Sequence, residues 1–329
     1  MIMGRENKNG FAALPLQVKL SAVSLLLMGA AVCSILWEVW NTRQDYSFGF
    51  LAPVFVLYVL FDRKEKIFGF FSAPRQAASD EADKSGVWDA LFNAFFGLMF
   101  ACSVLVFTAF AGLFYLTQNR GVPAFTMTFA YSFIFFSSAY FASARDSNGI
   151  CPALRERLKF TMLFVFPSFI WIVAAPLFQI VESRISLFLL SIVADITYSV
   201  MDTLGYIVQL RGNVIEFPNG SVGVADACSG IRSLTACIFA GSFLAAVMFD
   251  KTWKKIALVV LSMALAFFFN LCRAMFLSFW AYENGSESIS GTMHDAAGYI
   301  ILGCTVVGLL AISSLLNLNP VPKEFRDEK

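Results

Sequence analysis

The chain is a succession of apolar runs poor in charge, several of them 18 residues or longer, and this governs what it can fold into. A run of that length covers the roughly 30 Å hydrocarbon core of a bilayer when it is helical. The runs lie near 17–40, 47–62, 88–116, 122–143, 158–181, 229–249, 255–282 and 296–318. Only the second is short for a span. The pattern predicts an all-α polytopic membrane protein with about eight transmembrane helices. Composition supports this: 14% of the 329 residues are charged and 58% are hydrophobic, whereas soluble domains carry about 25% charged residues.

The positive charges orient the helices. With a cytoplasmic N-terminus and eight spans, most of the 24 Lys and Arg fall on the inner side. These include Arg63, Lys64 and Lys66, then Arg155, Arg157 and Lys159, then Lys251, Lys254 and Lys255. Only Arg43, Arg120, Arg184, Arg211, Arg232 and Arg273 fall outside. This satisfies the positive-inside rule. The stretch 186–210 is ambiguous. Asp195, Asp202 and Gln209 recur at seven-residue spacing, which places them near one helical face. Treating it as another span would move Lys251, Lys254 and Lys255 outside, so an amphipathic helix lying at the interface is expected there.

Both tails are expected in the cytoplasm, with 63–87 as a cytoplasmic connector, flexible over 72–87, and 182–228 as an outer segment. The whole of 1–329 reads as one transmembrane domain. The polar stretch Met1 to Gly10 and a first apolar run long enough to span predict an uncleaved first helix rather than a signal peptide. Within the outer segment, Asn213-Val214-Ile215-Glu216-Phe217 and Ser221-Val222-Gly223-Val224-Ala225 flank Pro218-Asn219-Gly220. Asn-Gly between β-prone runs predicts a hairpin.

Three reactive side chains sit at the ends of three consecutive spans. Cys228 heads the sixth run, Arg273 lies in the outer third of the seventh, and His294, the chain's only histidine, stands before the eighth. The topology sends all three ends outward. A thiol near a helix N-terminus is activated by the free N–H groups and the dipole. Those N–H groups also suit an oxyanion. Histidine can exchange the proton, and arginine, always protonated, can stabilise negative charge or hold a carboxylate. Neighbouring candidates are Ser229, Arg232 one turn beyond Cys228, Asn270 one turn before Arg273, and Asp295 directly after His294. The ordinary alternatives are packing roles, since most membrane cysteines behave as small hydrophobes. An arginine within a span is different, because its burial is costly. The spacing alone leaves a cysteine enzyme, a transporter or scaffold, and a Cys-dependent acyltransferase all open. Seven cysteines without a CxxC, and a lone histidine, speak against a disulfide framework or zinc site. No cofactor is expected, and the net charge of +1 suggests no nucleic-acid partner.

At these residues the chain resembles the exosortase/archaeosortase family. The run Ala227-Cys228-Ser229-Gly230-Ile231-Arg232-Ser233-Leu234 matches the family's nucleophile block throughout. Asn219-Gly220, Asn270 to Arg273, and His294 with Gly298 match further elements. Tyr46 to Pro53 matches an N-terminal pattern, with Phe48 where the family has histidine. The resemblance implies a multi-pass cysteine protease-transpeptidase of the bacterial cytoplasmic membrane with its active site facing outward. It would cut secreted proteins at a C-terminal tripartite sorting signal of the PEP-CTERM type. It would then transfer them to an acceptor, such as a lipid or glycan. The resemblance assigns Cys228 as nucleophile, Arg273 as transition-state stabiliser and His294 as general acid/base.

Overall fold

The computed structural model describes residues 14–73, 82–117, 121–146, 149–218, 220–224, 230–289 and 291–318. The chain folds as an all-α polytopic membrane protein carrying one small antiparallel sheet. Among the described residues, nine helices are long and apolar enough to cross a membrane. Many of their large apolar side chains are exposed, including Leu26, Leu98, Leu105 and Val307. These are the surfaces that lipid would cover. Two compact units emerge, one from residues 1–43 and 47–176, the other from 44–46 and 177–329.

The first unit holds α1 (Leu16–Thr42), α2 (Leu51–Asp62), α3 (Lys64–Ser72), α4 (Ala82–Thr117), α5 (Gly121–Ala142), α6 (Leu154–Met162) and α7 (Val165–Ala174). Helix α5 is its centre and packs on α1, α4, α6 and α7. Small residues set the spacing, as membrane helices require in the absence of a hydrophobic drive between them. A Cβ at Gly29 of α1 would stand 2.7 Å from Tyr131 Oη of α5. Tyr131 instead donates to Leu25 O at 3.1 Å. Trp40 Nε1 donates to Ala174 O at 2.8 Å, fastening the end of α1 to the end of α7. A Cβ at Gly49 would strike the Trp40 ring, so the motif from Tyr46 to Pro53 needs glycine there.

Several boundaries differ from those expected. The run 158–181 is present as one candidate span over Leu154–Ala174, interrupted at Leu163 and Phe164 so that it consists of α6 and α7. Pro167 has no N–H to give and sits in the first turn of α7, where none is needed. Pro176 ends the segment by disfavouring helix at the residue before it. The run 47–62 is a 3₁₀ turn over Gln44–Phe50 leading into α2. The connector expected at 63–87 contains α3, and α4 begins at Ala82; residues 74–81 lie outside the described ones.

The second unit contains α8 (Gln179–Thr203), β1 (Gln209–Arg211), β2 (Val214–Phe217), β3 (Gly220–Gly223), α9 (Gly230–Met248), α10 (Thr252–Asn284), a 3₁₀ turn at Ser286–Ile289 and α11 (Thr292–Asn317). Helix α8 accounts for the ninth candidate span, one beyond the eight expected. It stops at Thr203. Gln209 is therefore a strand residue and does not share a helical face with Asp195 and Asp202. The expected hairpin is present as β2–β3, and β1 adds a third strand in the order β1-β2-β3. Register pairs Phe217 with Gly220, leaving a two-residue connection at Pro218 and Asn219; Asn219 lies outside the described residues. The other corner, at Gly212 and Asn213, uses a positive φ of 61° at Gly212.

Helix α10 has 33 residues and so extends about 50 Å, well beyond one hydrocarbon thickness. Its C-terminal third is clothed by protein. Ala274, Leu277 and Ala281 of α10 form one buried cluster with Val193, Ala194 and Met201 of α8, Ile215, Phe217, Val222 and Val224 of the sheet segment, and Ala297 of α11. Toward its N-terminal half, Trp253, Ile256 and Val260 are exposed.

Candidate active site

Arg273 and His294 meet at the corner between α10 and α11. Gly285, with φ 88°, ends α10, and Gly291, with φ 64°, opens α11. Both lie in the left-handed region that favours glycine. Between them Ser288 N–H and Oγ bond back to Gly285 O, at 3.1 and 2.6 Å, closing a tight turn. The corner returns the first turn of α11 against α10. Arg273 Nη2 then stands 2.8 Å from His294 Nε2 and 3.4 Å from His294 O. A Cβ at Gly298 would stand 3.5 Å from Arg273 Nη2, an ordinary van der Waals distance, so Gly298 of α11 lies directly against the guanidinium.

A guanidinium has only donors, so in this contact His294 Nε2 is the acceptor. Both side chains are half-buried. Arg273 Nε is buried and has no partner among the described residues. The arginine thus retains a donor for a further group. Asn270, one turn earlier on α10, is buried at 4% exposure.

The other candidates divide. Asp295 is exposed, and no bond between its carboxylate and His294 is seen among the described residues. Arg232, in the first turn of α9, faces Asp45, its Nε donating to Asp45 Oδ1 at 2.8 Å. Sequence reading missed Asp45. The available signal was its place directly before the Tyr46 to Pro53 motif. Its neighbour Tyr46 is buried, and the Tyr46 hydroxyl accepts from Leu177 N–H at 3.2 Å. Phe48, standing where the family pattern has histidine, is half-buried.

Cys228 and Ser229 lie outside the described residues. The residues that bracket them are placed. Val224 belongs to the cluster that holds Ala274, beside Arg273, and Ala297, three residues after His294. On the other side, α9 begins at Gly230 and packs along α10. Elsewhere, a hollow of about 410 Å³ lines α8 at Asp195, Ser199 and Thr203 and includes none of the candidate residues. No group of three His, Cys, Asp or Glu able to hold a metal is found among the described residues.

Comparison with known proteins bears on this arrangement. The family described as transmembrane exosortase matches residues 40–311. A protein named "Probable archaeosortase E", from Methanocaldococcus jannaschii, is 27% identical over 128 residues. That similarity covers 39% of this chain and 65% of the relative, somewhat under two thirds of its length. No solved structure matches. The family match covers most of the chain and takes in Asp45, Cys228, Arg273 and His294; the chain belongs to the transmembrane exosortase family.

Proposed function

We propose that this member of the transmembrane exosortase family is a cysteine protease-transpeptidase. Its substrates are secreted proteins bearing a C-terminal sorting signal of the PEP-CTERM type, cut at the outer face of the bacterial cytoplasmic membrane. The observation that carries the reading is the 2.8 Å contact between Arg273 and His294, the two side chains the resemblance names beside Cys228. The placement of Val224 in the same buried cluster as Ala274 and Ala297 supports bringing the Cys228 segment to them.

In this mechanism the Cys228 thiolate attacks the scissile carbonyl. Arg273 turns a donor toward the developing oxyanion, and its buried, unused Nε suits that role. As Arg273 shifts to the substrate, Nε2 of His294 is released to exchange protons with the thiol and the leaving amine. Collapse gives a thioacyl-enzyme. An acceptor nucleophile or water then attacks it, freeing the Cys228 thiol. The carboxyl-terminal part of the signal, with its membrane helix and basic tail, leaves in the first step.

The test is co-expression with a secreted reporter that ends in a tripartite sorting signal. Loss of reporter processing in Cys228→Ala, Arg273→Ala and His294→Ala, with the variants present in the membrane at normal levels, is expected. Normal processing by Cys228→Ala would contradict the reading.

A further inference from the structure

The outer edge of β3, five residues before Cys228 in sequence, has no further strand beside it among the described residues. In an antiparallel ladder, residue pairs alternate between those that exchange hydrogen bonds and those that do not. Val224 N–H donates to Asn213 O at 2.9 Å. With Val214 opposite Gly223, Ile215 opposite Val222 and Glu216 opposite Ser221, alternation assigns the bonded pair to Ile215 and Val222. The N–H and C=O groups of Ser221 and Gly223 therefore point away from β2. They meet no partner among the described residues.

The two edges of this sheet are guarded differently. On β1, exposed Gln209 and Arg211 border the sheet, and Arg211 pairs with Glu216 of β2 at 3.1 Å. Charged edge residues of this kind discourage another strand from joining. On β3 the edge residues are Ser221 and Gly223, small and uncharged. Glycine at such a place admits close approach of another backbone. The buried face is already filled: Val222 is 1% exposed, and a Cβ at Gly220, on the same face, would stand 2.8 Å from Ser286 Oγ. What β3 leaves unused is its backbone edge.

We infer that this edge binds the extended segment of the substrate, the stretch just ahead of its membrane helix, by strand addition to Ser221 and Gly223. Main-chain pairing supplies the affinity. The occupant is a peptide because only another backbone matches alternating N–H and C=O groups. It is the substrate because β3 continues into the Cys228 segment, and Val224 shares a cluster with the neighbours of Arg273 and His294. The inference rests on the proposed function above.

Proline at an outward-facing edge position removes the donor without touching the inward bonds of Val222. Ser221→Pro and Gly223→Pro in the full-length protein are expected to raise the reporter concentration needed for half-maximal processing by about tenfold each. The maximal rate and the labelling of Cys228 by a thiol probe should stay as in the unmodified protein. Unchanged concentration dependence in these variants overturns the inference. Because proline variants can misfold, a photo-crosslinking amino acid at position 221 in a Cys228→Ala background gives an independent reading. A crosslink to the reporter segment before its membrane helix is expected, with none from position 209 on the opposite edge strand. No crosslink from 221, or one to a second copy of this chain, overturns the inference. Cys228-dependent processing with either negative result removes strand addition alone; processing that persists in Cys228→Ala removes the function itself.

Discussion

Two arginines packed among helices, the buried Arg157 of the first unit and the half-buried Arg273 of the second, are used differently. Arg157 of the first unit lies 4.2 Å over the Tyr140 ring and donates to Asn93 Oδ1 at 3.2 Å, the same oxygen that Tyr140 Oη reaches at 3.0 Å. Tyr140 itself stacks on Phe96 with ring centroids 4.0 Å apart. The described contacts of Arg157 are an aromatic ring and an amide oxygen, with the Asp89 carboxylate close enough to act on the same Tyr140, and none of these is an imidazole. Arg273 of the second unit faces an imidazole lone pair. Burying either cation is costly. In the first unit the cost is offset by packing that ties three helices together, and in the second it positions a donor beside the chain's one histidine. Burial alone does not mark a functional arginine; what the guanidinium faces does.

The comparison can be broken by substitution. Arg273→Lys is expected to lower processing by about 100-fold or more, with little change in thermal unfolding in detergent, because an ammonium does not reproduce the guanidinium fork. Arg157→Ala is expected to do the reverse. It loses about 2–4 kcal/mol of stability through stacking and packing, yet the folded fraction processes reporter at the normal rate. If Arg157→Ala abolished turnover in folded protein, the distinction between the two arginines would fail. A smaller effect is expected at the ion pair between Arg232 and Asp45. Both partners are partly exposed, so Asp45→Ala should slow processing by roughly fivefold, equivalent to about 1 kcal/mol, and Asp45→Asn by less. Asp295→Asn should change the rate by less than about twofold, since its exposed carboxylate does not engage His294; the same reporter assay reads all of these.

What the sequence made legible follows from local physics. Apolar runs predict helices, and the Asn-Gly corner predicts the β2–β3 hairpin. The ends of α10 and α11 bring Arg273 to His294 because two consecutive antiparallel helices meet at one corner. The break between α6 and α7 was signalled by Pro167, and the end of α7 by Pro176, but both were masked by the continuous hydrophobicity around them. Strand β1 was not legible. It has three residues, one of them Gln209, and it exists because β2 offers an edge, not because of its own propensity. The pairing of Asp45 with Arg232 joins residues 187 apart in sequence, and no periodicity carries information over that distance. The role of Gly29, which admits Tyr131, likewise depends on which helix happens to face it.

The central claim is that Cys228 forms a covalent acyl intermediate beside Arg273 and His294. The direct measurement is intact-mass and peptide analysis of full-length protein isolated after brief co-expression with the reporter. The account predicts a hydroxylamine-sensitive adduct on Cys228 whose mass equals the amino-terminal part of the cut reporter. It should be absent in Arg273→Ala. Efficient reporter cleavage with Cys228 replaced by alanine would contradict it.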